Sequence, residues 1–171
     1  LILFYFYSIK RILLISDTHS YFGKDITNKL TNYDELWHAG DWGFLSSFKT
    51  SLDKIVVRGV YGNIDNHEVR NEYPKEIFFE LEGIKVYVTH IGGYPGKYQK
   101  SIKTRLKDLK PDLFICGHSH ICKIMKDREL NLLHFNPGAI GFHGFHQKRT
   151  MISFKINNGE ISDVKIHEYD K

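Results

Sequence analysis

Arg11-Ile12-Leu13-Leu14-Ile15-Ser16-Asp17-Thr18-His19 is the stretch on which the fold turns. The apolar run carries no polar alternation, so both faces of the strand it forms should be buried, as in the middle of a sheet covered on both sides. It then stops at a carboxylate and an imidazole two positions apart. In an extended or turning segment residues i and i+2 share a side, so Asp17 and His19 can face one site.

The same arrangement recurs along the chain. Residues 34–39 form a short apolar strand that ends in Gly40-Asp41-Trp42-Gly43, and the β-branched run 55–61 leads into Gly62-Asn63-Ile64-Asp65. Residues 77–81 and 84–89, joined by Glu82-Gly83, read as a hairpin that delivers His90. Asp112-Leu113-Phe114-Ile115 is a strand followed by Cys116-Gly117-His118-Ser119-His120, where two imidazoles again share a side. Apolar spacing predicts helices over 23–30, 44–52 and 98–109, and further strands over 122–126 and 130–135. A closing hairpin is expected from 149–156 and 161–166, turning at Asn157-Asn158-Gly159-Glu160. Strands alternate with helices first and hairpins follow. That order predicts an α/β domain of two sheets packed face to face with helices outside.

Composition sets the bounds. The 171 residues suit one domain, 1–171, with residues 1–9 read as an extension of the first strand or an artefact. The apolar start is too short to span a bilayer, which takes ~20 residues. No basic residue precedes it and no small-residue cleavage site follows, so no leader is expected. The net charge of +4 favours anionic ligands but falls short of a nucleic-acid signature. The basic residues of 97–110 read as a solvated face, which leaves a nucleic-acid partner open but not expected, and no membrane partner is expected. Two cysteines, Cys116 and Cys122, give no disulfide framework; they read as small buried residues in a reducing compartment, the cytoplasm.

Ten histidines are the compositional oddity. The strand-end groups, in order, are Asp17, His19, Asp41, Asn63, His90, His118 and His120. Each follows an apolar strand and so can be presented at one sheet edge, where α/β folds place their sites. Carboxylate, imidazole and amide oxygen together suit manganese, iron, zinc or nickel and suit calcium poorly. His38, His134 and His167 read as strand residues, with His38 also able to support the site from behind; His67 reads as loop.

These motifs, with Thr89-His90 and the later Asn136-Pro137-Gly138, resemble the calcineurin-like metallophosphoesterase superfamily and, within it, the small YfcE-like phosphodiesterases. The resemblance implies a four-layer sandwich, two mixed β-sheets flanked by helices, with a binuclear centre of two divalent ions, manganese first. It implies one ion on Asp17, His19, Asp41 and His120 and the other on Asp41, Asn63, His90 and His118, with Asp41 bridging. The expected reaction is hydrolysis of a small-molecule or nucleotide phosphodiester by a hydroxide bridging the ions, with Asp41 and Asn63 as its catalytic contacts. A phosphomonoesterase, or a non-catalytic adaptor like the retromer subunit that resembles this family, is the alternative.

Two departures bear on mechanism. Many members carry histidine after the metal-binding asparagine, where it contacts substrate and can protonate the leaving oxygen; here the residue is Ile64, which cannot. Asp65, His67, His143 and His146 are the candidate acids, and His143 with Asn63 a candidate substrate contact. Gly92 stands where many relatives have a second histidine. The loop 141–149, with histidine, lysine and arginine, is a candidate phosphate holder. Oligomeric state is not legible.

Overall fold

The computed structural model describes residues 8–171; most of the 1–9 extension lies outside the described residues. Strand β1 (Lys10–Ile15) is central to its sheet. Ile12 and Leu14 point to one side, into a core shared with Val86, Val88, Leu113 and Ile115. Leu13 and Ile15 point to the other, against Ile26 and Leu30 of helix α1 (Lys24–Leu30). That two-residue period within an unbroken apolar run is what burial on both faces requires.

The first sheet runs β10-β9-β1-β2-β3, with β2 Glu35–His38, β3 Val56–Gly59, β9 Lys148–Asn157 and β10 Glu160–Asp170. β1, β2 and β3 are parallel; β9 and β10 add antiparallel strands beyond β1. The second sheet runs β4-β5-β6-β8-β7, with β4 Glu76–Leu81, β5 Ile84–Thr89, β6 Leu113–Ile115, β7 Cys122–Asp127 and β8 Leu132–Pro137. Here β5, β6 and β8 are parallel and β4 and β7 antiparallel to their neighbours. On its outer face Tyr87 and Phe114 pack on Ile102 and Leu106 of helix α4 (Lys100–Leu109). The layers are therefore helix, sheet, sheet, helix. Parallel strands put their C-terminal ends on one edge, so the loops after β1, β2, β3, β5 and β6 all open on the same side.

Three elements differ from their sequence reading. The helix expected over 44–52 is a 3-10 turn, Leu45–Ser47, and one turn of helix α2, Lys49–Leu52, broken at Phe48 with φ −116°. Ser46 and Ser47 are weak helix formers. His67, read as loop, opens helix α3 (His67–Glu72), capped where Asn66 Oδ1 accepts the Val69 N–H at 3.2 Å. β10 runs on to Asp170 past a bulge between Ser162 and Lys165, which interrupts the alternation that marks a strand. Among the described residues no helix is long and apolar enough to cross a membrane.

Candidate metal centre

The strand-end loops are tied to one another before any side chain is considered. Asp17 N–H donates to Gly40 O at 2.9 Å, His19 N–H to Asp41 O at 3.1 Å, and Gly117 N–H to His90 O at 2.9 Å. Asp17, His19, Asp41, His118 and His120 all have φ between 46° and 68°. This left-handed region costs a non-glycine residue about 1 kcal/mol or more, and such strain gathers at functional sites. The glycines of the motifs let the loops close up. A Cβ on Gly62 would overlap Asp41 Oδ1, and one on Gly117 would lie 2.8 Å from Asp17 Oδ2.

The side chains fall into two groups, Asp17 with His19 and His120, and Asp41 with His90 and His118. In each, the potential ligand atoms lie within 4.8 Å of one another. Each group draws on both sheets. Asn63 joins the second group through Oδ1, 3.1 Å from His90 Nε2. His19 Nε2 lies 3.9 Å from Asp41 Oδ2 and links the two. All seven strand-end residues thus stand at one place, beside a cleft of about 520 Å³.

The donor set fits cations. His90 Nδ1 donates to Ala39 O at 2.8 Å, which turns Nε2 toward Asp41 Oδ1 at 3.2 Å and Asn63 Oδ1 at 3.1 Å. In the neutral ring that nitrogen is a lone pair facing two oxygens, an arrangement that calls for a proton or a metal ion. Among the described residues, Asp17 Oδ1 and His19 Nε2 are buried without a hydrogen-bond partner. His120 Nε2 approaches Asp17 Oδ1 to 3.1 Å without hydrogen-bond geometry. Buried lone pairs left in this state are costly unless something positive sits among them.

Electrostatics divides the histidines. Burial works to lower the His90 pKa, but its bond to Asp41 and the charges of Asp17 and Asp41 outweigh it, and the net shift is upward. Asp41 is held below its usual range: burial opposes this, and His90, the Ile64 N–H and His19 overcome it. For His19 burial wins over Asp41 and Asp17, and its pKa falls.

His38 is fully buried behind the site. Its Nδ1 accepts the Gly40 N–H at 3.1 Å, so Nε2 carries the proton and donates to Thr18 Oγ1 at 2.9 Å. Thr18 in turn donates to Trp42 O at 3.0 Å, locking the β1 and β2 loops together. Desolvation holds this ring far below the ordinary histidine pKa, as a neutral strut.

Several candidates lie elsewhere or do other work. The Asp65 carboxylate accepts backbone N–H groups from Gly62 at 2.7 Å, Gly43 at 2.9 Å and Asp41 at 3.1 Å. It is a buried clamp on the loops after β2 and β3, not a free acid facing substrate. His67 is exposed on α3, bonded to Asn71, and does not line the cleft. Of the 141–149 loop, Arg149 pairs with Asp25 and Lys148 with Asp170, and neither lines the cleft. His143 and His146 do line the cleft, with the His143 ring 4.8 Å from that of His19. Ile64 is 46% exposed there. A Cβ on Gly92 would strike the Phe114 ring at 2.6 Å, so its loop packs too tightly on β6 to carry a side chain in this conformation. The clamp by Asp65 was missed because nothing in Asn63-Ile64-Asp65 distinguishes a ligand from its support.

Comparison with known proteins agrees with this geometry. The calcineurin-like phosphoesterase superfamily domain matches residues 11–159. A probable metallophosphoesterase of Methanothermobacter thermautotrophicus is 31% identical over 134 residues, 74% of each chain. Vps29 of Entamoeba histolytica, solved in complex with Zn2+, superposes with a TM-score of 0.72 over 94% of this chain and 98% of its own, at 15% identity. A predicted phosphoesterase of Streptococcus pneumoniae gives 0.67 over 96% and 99%, at 19% identity. With its strand-end motifs inside the matched span, this chain belongs to the calcineurin-like phosphoesterase superfamily.

Proposed function

We propose that the protein is a metal-dependent phosphodiesterase using two divalent cations, manganese by preference with zinc, iron or nickel as substitutes. The observation that carries this reading is the pair of ligand groups, Asp17/His19/His120 and Asp41/His90/His118, standing side by side on one cleft. When bound, such cations neutralise phosphate charge and activate water for in-line attack. The chain itself does the rest. Asp41 holds the two groups together, its Oδ1 fixed by the Ile64 N–H at 3.1 Å. Asn63, with its oxygen toward His90, has no partner for its amide N–H groups among the described residues and would hold a phosphate oxygen with them. His143, which lines the cleft, would contact substrate.

Neither cysteine competes as a nucleophile. Burial pushes the Cys116 thiol up to about 12 and the Cys122 thiol to about 11, so neither is a thiolate at neutral pH. Both cysteines are free, in keeping with a cytoplasmic location. Because Ile64 cannot protonate a leaving oxygen, aryl diesters should be cleaved faster than alkyl diesters.

The test is metal content of protein purified without chelator, together with hydrolysis of bis(4-nitrophenyl) phosphate and 4-nitrophenyl phosphate in added manganese, beside Asp41→Ala and His90→Ala. About two ions per chain and a diester preference lost in both variants are expected. A monoester preference would make it a phosphomonoesterase. Metal without turnover on either ester would favour the second reading, a non-catalytic adaptor, which the exposed apolar residues on the cleft, Ile64, Ile121 and Phe145, support.

A further inference from the structure

A second and larger cleft, about 1060 Å³, shares Asn63 with the metal-centre cleft and has His90 on its wall. Its character is different. Tyr61, Ile91 and Ile102 supply buried or half-buried apolar surface, while Arg70, Lys75 and Lys100 supply exposed positive charge. The one carboxylate on it, Glu76, is already held by Arg105 and by the Tyr87 hydroxyl at 2.6 Å. Among the described residues, Arg70, Lys75 and Lys100 form no ion pair. Arg70 is nonetheless fixed. It donates to Asp65 O at 2.7 Å and Asn63 O at 3.3 Å, with its guanidinium 4.6 Å from the centroid of the Tyr61 ring.

Three unpaired cations around an apolar floor, one step from the metal centre, are more than the single charge of a simple diester needs. From this juxtaposition we infer that the cleft is the subsite for a nucleoside arm bearing a second phosphate, so that the diester cleaved at the metal centre is a nucleotide. The apolar surface takes the planar, weakly polar base and sugar. The cations take the additional phosphate, Arg70 through the Nη1 group that its bonds to backbone carbonyls leave over and the two lysines as point charges. This rests on the phosphodiesterase reading.

The test compares thymidylyl-thymidine with the same dinucleotide carrying a terminal 5′ or 3′ phosphate, with bis(4-nitrophenyl) phosphate as a substrate that lacks the arm. At least one phosphorylated dinucleotide should be cleaved with kcat/KM about tenfold above its parent. In the double variant Lys75→Glu, Lys100→Glu that ratio should fall to about 1; being a ratio on one protein, it is insensitive to lost fold. A ratio near 1 in the wild type, with diesters still cleaved, overturns the inference and leaves the phosphodiesterase reading standing. If no diester is cleaved, that reading falls instead. Calorimetric binding of thymidine 3′,5′-bisphosphate to the Asp41→Ala protein then decides the cleft: binding weakened about tenfold by the two lysine substitutions supports it, and binding indifferent to them overturns it.

Discussion

His90 and His134 belong to the same sheet, one just after β5 and one within β8, and both are buried, at 3% and 0% exposure. Their surroundings drive them apart. His134 sits among the rings of Phe114, Tyr94 and Tyr98, 5.5 to 5.8 Å between centroids, and its Nε2 has no partner among the described residues. Desolvation lowers its pKa to about 4, with Asp127 opposing only in part. His90 suffers the same burial but faces Asp41 and Asn63 and has Asp17 nearby, and its pKa rises. Burial alone thus makes a histidine a neutral packing residue. Oxygens of Asp41 and Asn63 from the opposite sheet make its surroundings fit a cation, and both candidate ligand groups draw on the two sheets.

Removing the oxygens should erase the difference, and this is the largest effect expected. Asp41→Ala should lower diester turnover on the order of 10³-fold, since it removes the carboxylate through which both groups are coupled. In chelator-treated protein, the NMR titration of the His90 ring should also move downward, toward that of His134. A His90 titration that stays in place would mean that something other than Asp41 separates the two histidines.

A smaller effect comes from leaving the ligands in place and loosening their support. Asp65→Asn replaces one accepting oxygen with an NH2 group that must face backbone N–H groups now bonded to the carboxylate. A cost of about 2 kcal/mol in urea denaturation is expected. Turnover should fall roughly 10- to 100-fold, as for other substitutions behind metal ligands. Loss of stability with undiminished turnover per metal-loaded chain would show that Asp41 holds its position without the clamp.

The contrast between the two histidines also marks what the sequence can reveal. An apolar run ending in Asp17 or His90 is local, and the C-terminal ends of parallel strands gather on one edge by geometry alone, so the convergence of these groups on one place was legible. The two-faced burial of Ile12–Ile15 was legible for the same reason. The support was not. Asp65 and His38 act through backbone N–H groups and a hydroxyl brought together by folding, and the left-handed φ of five of the strand-end residues leaves no trace in their side chains. Helix α3 was invisible because a six-residue helix with one buried residue, Val69, has no periodicity to read; its signal is the cap at Asn66.

The smallest expected effect lies on the other side of the comparison. If His134 is neutral because it is desolvated, acid should weaken the fold through it. The unfolded ring takes up a proton near its ordinary 6.5, the folded ring only near 4. Between those values the unfolded chain binds more protons, so stability is full above about pH 6.5 and falls as pH drops through the window. At pH 5.5 the loss from this one residue is about 1 kcal/mol. His134→Phe keeps an aromatic ring in the cage and removes the titration. The difference in urea stability between pH 7.5 and 5.5, measured in chelator so that metal loss plays no part, should therefore be smaller in the variant by that amount. His38 and His19, whose pKa values are also lowered by burial, contribute equally in both proteins and cancel. An identical acid loss in the two proteins would place the proton uptake elsewhere and remove His134 as the neutral counterpart of His90.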